Sequence, residues 1–285
     1  MFKSIDTLRT YHYEIDYSYV LMAFVSVLIA QFIASFIWFR LANSFGLKTP
    51  FSETVRIWLL SRFGRYIPGK IPFLLMRINL YKKIPAKNVT LATITEYIST
   101  VAAAFFIVLL SLGDLPEDYG NIPFYWIILM ITAFLILLKP SILGYLFNKI
   151  LVFFRKVPIQ VLPSYKTVIA CVLAYTVPIA LNGAGLFFVF NAMKSVDASY
   201  YPIITGLFYA SSLIGLLAFF APGGVGVREG LMMVVFSQFL DEPVVIIGAI
   251  GIRFITIFAE FLLLVLFSLF EYFHRDVSSR NTTII

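Results

Sequence analysis

The chain is 285 residues long, 60% apolar and only 13% charged, with a mean hydropathy of +0.92. A soluble domain lies nearer half apolar and a quarter charged, so this balance excludes one and identifies an integral membrane protein. The single cysteine, Cys171, excludes a disulfide scaffold, and 22 Lys and Arg against 15 Asp and Glu, net +7, fit cytoplasmic loops beside anionic lipid better than nucleic acid.

Residues 1–18 are mixed polar, with Asp6, Glu14 and Asp16. No small-residue cleavage pattern follows the first apolar run, so that run is expected to be retained. A spanning helix needs about 20 largely apolar residues. Val20–Phe39 meets this, and Arg40 closes it. Phe51–Tyr81 does not: its apolar arms, Ile57–Ile67 and Ile71–Leu80, are separated by Pro68-Gly69-Lys70, and each is too short to cross. Thr90–Leu112 is a second span with Glu96 inside it, and Ile122–Leu138 is a short third one stopped by Lys139-Pro140.

In Ser141–Lys156 the residues Ile142, Leu143, Leu146, Phe147, Ile150, Leu151 and Phe154 recur at helical spacing, with Asn148, Lys149 and Arg155 opposite. That pattern suits a helix lying on the cytoplasmic surface, and a partner-docking helix has the same signature. Val168–Phe190 is a fourth span, interrupted in character by Pro178 and Asn182-Gly183. Ile203–Leu240 repeats the two-armed pattern: Ile203–Phe220 and Leu231–Leu240 flank Ala221-Pro222-Gly223-Gly224-Val225-Gly226-Val227-Arg228-Glu229-Gly230. Pro243–Phe270 is the fifth span, with Arg253 and Glu260 two turns apart inside it.

Pro and Gly interrupt helices, and irregular backbone at membrane depth is tolerated only against protein or a watery cavity. Both two-armed regions are therefore expected to be re-entrant helical hairpins. For Ile203–Phe220 an ordinary span followed by a loop remains open by length. The expected fold is all-α: one integral membrane domain over 1–285, a polytopic helical bundle with five spans and two re-entrant Pro-Gly hairpins.

Charge gives the orientation. Ten Lys and Arg from Arg40 to Lys87 face Glu53 alone, which places that stretch in the cytoplasm. Asp114, Glu117 and Asp118 then lie outside, Lys149 to Lys166 inside, Asp241-Glu242 outside, and His274 and Arg275 inside. The N-terminus is expected outside and the C-terminus in the cytoplasm. With this orientation the two hairpins enter from opposite sides. Residues 18–113 and 166–273 then form an inverted repeat around a midplane site.

A charge at the bilayer centre costs about 2.5–3.5 kcal/mol on insertion scales, so buried charges call for partners or a function. Glu96, Arg253 and Glu260 fit mutual pairing as well as function. The hairpin tips are more specific. A helix restarts near Ile71 and another near Arg228, and each restart presents unpaired N–H groups and a positive dipole end. Glycines let an anion approach that backbone, and arginine grips phosphate with two donors. Arg65, Gly69, Lys70, Gly223, Gly224, Gly226 and Arg228 are the candidate ligands of a lipid phosphate, with Glu96, Glu229, Arg253 and Glu260 as supporting charges.

Gly224-Val225-Gly226 is only a fragment of a dinucleotide fingerprint and follows no strand, so no nucleotide cofactor is expected. His12 and His274 stand alone, so neither a metal site nor a histidine-based catalytic set is expected. Two other functional classes stay open: a membrane transferase holding a lipid phosphate with Glu229 or Glu96 as base, and an accessory subunit of an envelope-biosynthesis enzyme.

Arg65-Tyr66-Ile67-Pro68-Gly69-Lys70 and Pro222-Gly223-Gly224-Val225-Gly226-Val227-Arg228-Glu229-Gly230 resemble the two signature segments of the lysylphosphatidylglycerol synthase transmembrane-region family, also called flippase-like integral membrane proteins. Glu96 resembles that family's acidic position. The resemblance covers most of the chain. It implies a multi-pass protein of the inner membrane that handles lipid, either an anionic phospholipid or a polyprenyl-phosphate-linked sugar as found with stand-alone relatives. In the multidomain synthases an aminoacyltransferase domain follows this region. None is legible in these residues, so aminoacylation is not expected of them.

Overall fold

The computed structural model describes residues 14–66, 71–114, 123–139, 164–218 and 224–282, together with 141, 142, 144, 145 and 149. The helices in chain order are α1 (Tyr17–Ser44), α2 (Phe51–Phe63), α3 (Ile71–Leu80), α4 (Ala86–Ser111), α5 (Phe124–Leu137), α6 (Tyr165–Asn191), α7 (Tyr201–Leu217), α8 (Val227–Phe236) and α9 (Glu242–Thr282). Among the described residues four helices are long and apolar enough to cross a membrane: α1, α4, α6 and the Glu242–Phe273 part of α9. The chain is an integral membrane protein with an all-α fold. Large apolar side chains cover its outside. On α1 Leu21, Met22, Val25, Ile29, Phe32 and Phe36 form an exposed stripe at helical spacing, and Phe254, Phe258 and Phe261 do the same on α9. Such a surface is far more apolar than water-exposed protein carries.

The expected third span, Ile122–Leu138, is corrected. Pro123 caps α5 and Leu138 ends it, so the helix has 14 residues. That is about 21 Å at 1.5 Å per residue, short of the hydrocarbon thickness. It lies against α4, where the rings of Phe134 and Phe105 meet tilted at 4.9 Å. Most of the expected surface helix Ser141–Lys156 lies outside the described residues.

α6 runs unbroken through Pro178 despite the expected interruption. Side chains serve the carbonyls just beyond the proline: Asn182 donates to Pro178, Tyr201 to Ala180 and Ser26 to Leu181, at 2.7, 3.0 and 2.7 Å.

The bundle has two ends. At one, the Asp16 end, the Asp16 N–H donates to the Ala192 carbonyl at 2.9 Å, so α1 begins where α6 finishes. There Asp16 also caps α1; the Ser18 hydroxyl and N–H hold its carboxyl below the ordinary range. At the other, the Phe45 end, the Asn88 amide donates to the Phe45 carbonyl at 3.0 Å, joining the start of α4 to the finish of α1.

The four short helices form two antiparallel pairs hung from opposite ends. α2 begins at Phe51, whose ring meets Phe39 of α1 at 5.2 Å, and α3 leads to Tyr81, whose hydroxyl accepts from Trp38 Nε1 at 3.2 Å. Both outer ends of this pair therefore lie at the Phe45 end. In the other pair Tyr200, just before α7, stacks on Phe239, just after α8, at 6.3 Å. Phe236 meets Phe190 of α6 at 5.3 Å, which puts both outer ends at the Asp16 end.

Packing at that end is close. A Cβ on Gly248 would sit 2.3 Å from the ring of Phe190, which has no exposed surface. Gly248→Ala is expected to lower stability by about 1–3 kcal/mol, the usual cost of overpacking, measured as a reduced Tm in detergent. The Lys194–Asp241 pair, 2.9 Å apart and 44% exposed on each side, bridges the same end at its surface. Exposed pairs contribute little, so Lys194→Ala is expected to change stability by about 1 kcal/mol or less in the same assay.

Candidate functional site

The described inner ends of both short-helix pairs meet α9, and partly buried ion pairs fasten them there. In the first pair α2 ends in a single 3-10 turn, Gly64–Tyr66. From this region Arg62 Nε reaches Glu260 Oε1 at 3.0 Å and Arg65 Nη2 reaches Glu260 Oε2 at 2.5 Å. Glu260 is 1% exposed and takes one arginine on each oxygen. Arg62 also lies over the Trp58 ring at 4.4 Å.

In the second pair the chain turns through Gly224 and Gly226, whose φ angles are +70° and +84°. Only glycine adopts that region without strain. Gly224 also passes against the Gly215 carbonyl, 3.3 Å from where a Cβ would stand. α8 then starts. Its Glu229 accepts from the Gly226 N–H at 2.7 Å and pairs with Arg253 Nη1 of α9 at 2.9 Å. Arg253 and Glu260 are two turns apart, about 10 Å of helix rise. One helix thus fixes both tips, with a cation for one and an anion for the other.

Arg228 differs from these arginines. Among the described residues it has no carboxylate partner, its Nε is buried without a hydrogen bond, and its guanidinium lies over the Phe208 ring at 4.4 Å. Of the nearby charges Glu229 acts on it most strongly, and Arg253 and Arg65 also lie within electrostatic reach. Among the described residues here two carboxylates, Glu229 and Glu260, serve Arg62, Arg65 and Arg253, so with Arg228 the region carries an excess of positive charge.

A further buried cluster holds the first pair against α4. Arg77 of α3 has no exposed surface; it is paired with Glu96 of α4 through Nη1 and donates to Ser61 Oγ of α2 at 3.0 Å. Trp58 Nε1 donates to the other Glu96 oxygen at 2.5 Å. Arg77 lies between the rings of Trp38 and Phe73, at 4.1 and 4.6 Å.

The structure thus brings Arg65, Gly224, Gly226, Arg228, Glu229, Arg253 and Glu260 to the two tips and their anchor on α9. Glu96 stands apart in the Arg77 cluster. Gly69, Lys70 and Gly223 lie outside the described residues, as do Pro68 and Pro222. The sequence reading assigned the tip N–H groups to a ligand, but the Gly226 N–H is taken by Glu229. It also counted Arg62 and Arg77 with the cytoplasmic charges and did not single out Trp58. The available signal was position: both arginines sit within the apolar arms Ile57–Ile67 and Ile71–Leu80, away from the polar flanks. Among the described residues no cluster of His, Cys, Asp and Glu could hold a metal ion.

The family model described as "Lysylphosphatidylglycerol synthase TM region" matches residues 3–263. The chain belongs to that family. No curated protein matches it. Membership ties this membrane protein to lipid or cell-envelope biosynthesis.

Proposed function

We propose, from that family membership as the premise, that the chain binds an anionic lipid by its phosphate at the paired tips and moves it between leaflets. The lipid is a phospholipid or a polyprenyl-phosphate-linked sugar of the cell envelope. One observation carries the reading: α9 holds both tips within two turns of each other, and Arg228 stands there with its Nε buried and with no ion pair to a carboxylate among the described residues. A phosphate supplies the missing charge and accepts two of its N–H bonds. In this reading the two short-helix pairs are re-entrant, entering from opposite leaflets. They form the inverted halves 18–113 and 166–273, and the irregular turns meet near the midplane. The Phe45 end, with its excess of Lys and Arg, faces the cytoplasm of the inner membrane, as does the C-terminus.

Arg65 belongs to the same site but is held by Glu260, so it lends field more than a direct grip. Glu229 shapes the start of α8 and holds Arg253; in this reading it is no catalytic base. Lys70, Gly69 and Gly223 complete the tips as proposed phosphate ligands.

The test is lipid movement in proteoliposomes, with fluorescent phospholipids of both charge classes and an external quencher reporting the leaflet. Movement of anionic lipids well above that in protein-free vesicles is expected, with little effect on zwitterionic ones. Equal rates with and without protein across the anionic panel would contradict the proposal.

A further inference from the structure

The helices that follow the two tips match in length. α3 and α8 each have 10 residues. Residues 81–85 join α3 to α4, and residues 237–241, an equal number, join α8 to α9. The match extends to a contact. Glu229, the third residue of α8, pairs with Arg253, the twelfth of α9, at 2.9 Å. The third residue of α3 is Phe73 and the twelfth of α4 is Tyr97, and their rings meet at 6.5 Å. By position and by contact, Tyr97 stands to the first tip as Arg253 stands to the second.

Two further properties distinguish Tyr97. It is 45% exposed although it lies near the middle of α4, a span of 26 residues. Tyrosine on a membrane surface collects at the headgroup level, so an exposed one at mid-span depth calls for another reason. In addition, Glu96, Arg62 and Arg65 lie within electrostatic reach of it. The two arginines are those that Glu260 holds at the first tip. Where the second tip has a cation, the first therefore has a neutral hydroxyl on an accessible ring.

The surrounding charge limits what such a group can meet. Among the described residues the tips carry Arg62, Arg65, Arg228 and Arg253 against Glu229 and Glu260. In sequence, residues 67–70 and 219–223 add Lys70 and no acid. Like charges brought together disfavour binding, so a cationic headgroup is excluded there while a phosphate is drawn in.

We infer that Tyr97 is a specificity-determining residue of the phosphate site proposed above, on which this inference rests: it meets the group beyond the lipid phosphate, and that group is uncharged and hydroxyl-bearing, a glycerol or a sugar. A phenol both donates to and accepts from an alcohol. Its ring, beside Phe73, seats the apolar C–H face of a polyol.

The test compares wild type with Tyr97→Phe in proteoliposomes; the substitution keeps the ring and its contact with Phe73. Fluorescent phosphatidylglycerol is set beside phosphatidic acid, which has the phosphate and no headgroup. A polyprenyl-phosphate-linked sugar is set beside bare polyprenyl phosphate. In at least one pair Tyr97→Phe is expected to slow the headgroup-bearing lipid about three- to tenfold, the effect of one hydrogen bond, and to leave the bare phosphate at its wild-type rate. The pair affected identifies the source, and the ratio within a pair does not depend on how much protein folds. The lysyl ester of phosphatidylglycerol, with its cationic headgroup, is expected to move about tenfold or more slowly than the headgroup-bearing lipid that wild type moves fastest. Equal slowing within both pairs, no slowing in either, or a lysyl ester that moves as fast would overturn the inference and leave the phosphate site standing. No movement of any of the four anionic lipids by wild type would overturn the phosphate site and this inference with it.

Discussion

Arg228→Ala is expected to reduce protein-dependent movement of anionic lipid at least tenfold while leaving the protein folded. The reasoning starts from what Arg228 lacks. Arg65, Arg62, Arg77 and Arg253 each have a carboxylate partner, so truncating any of them takes a cation away from an acid inside the bundle. Arg228 has none among the described residues, so its removal strands no acid. The fold loses the contact with Phe208, worth about 0.5–2 kcal/mol. A bound phosphate loses its only unshared arginine. Truncating one partner of a buried, hydrogen-bonded charge pair costs about 2–5 kcal/mol, which exceeds a tenfold change. Arg228→Lys should restore part of the rate, since the charge returns without the two-pronged geometry. Transport at the wild-type rate by a well-folded Arg228→Ala protein would remove the phosphate site from these tips.

Glu260→Ala should give the opposite pattern, a large loss of stability. Glu260 is 1% exposed and holds Arg62 and Arg65. Without it Arg62 and Arg65, both largely buried, lose the carboxylate they share. Breaking a buried pair from one side costs about 3–5 kcal/mol. A Tm reduced far more than by Lys194→Ala is the expected result. The α2–α3 tip should also loosen, read as faster amide hydrogen exchange around Gly64–Tyr66. A Glu260→Ala protein as stable as Lys194→Ala would show that α9 does not anchor this tip.

The bundle was largely legible in the sequence because length and hydropathy are sufficient for long helices. Val20–Phe39, Thr90–Leu112, Val168–Phe190 and Pro243–Phe270 each fall within a helix of the structure or differ from it by a residue at the end. In the two interrupted regions the arm lengths were legible: each holds two shorter helices, Phe51–Phe63 and Ile71–Leu80 in one, Tyr201–Leu217 and Val227–Phe236 in the other. Ile122–Leu138 misled because hydropathy does not register where helical hydrogen bonding stops, and Pro123 and Leu138 set that limit.

The charges were harder to read. Positive-inside counting treats every cation between two spans as solvated, so Arg62 and Arg77 went to the cytoplasm with Lys82 and Lys83. Within a short helix folded back into the bundle, the same arginines find Glu260 and Glu96, about 200 and about 20 residues away in sequence. Sequence spacing carries no signal for the first of these. The pairing of Glu229 with Arg253 was equally hidden, although both residues stood out as charges in apolar surroundings. Arg228 and Glu229, adjacent in sequence, play different parts because α8 turns one toward Phe208 and the other toward α9.

The most direct measurement is photochemical. Phosphatidylglycerol carrying a diazirine in its headgroup is reconstituted with the wild-type protein, irradiated, and the labelled peptides mapped. The account predicts label concentrated around Gly64–Tyr66 and Gly224–Glu229, and lost in Arg228→Ala. Label confined to outward residues such as Phe254 and Phe258, and unchanged by Arg228→Ala, would contradict it.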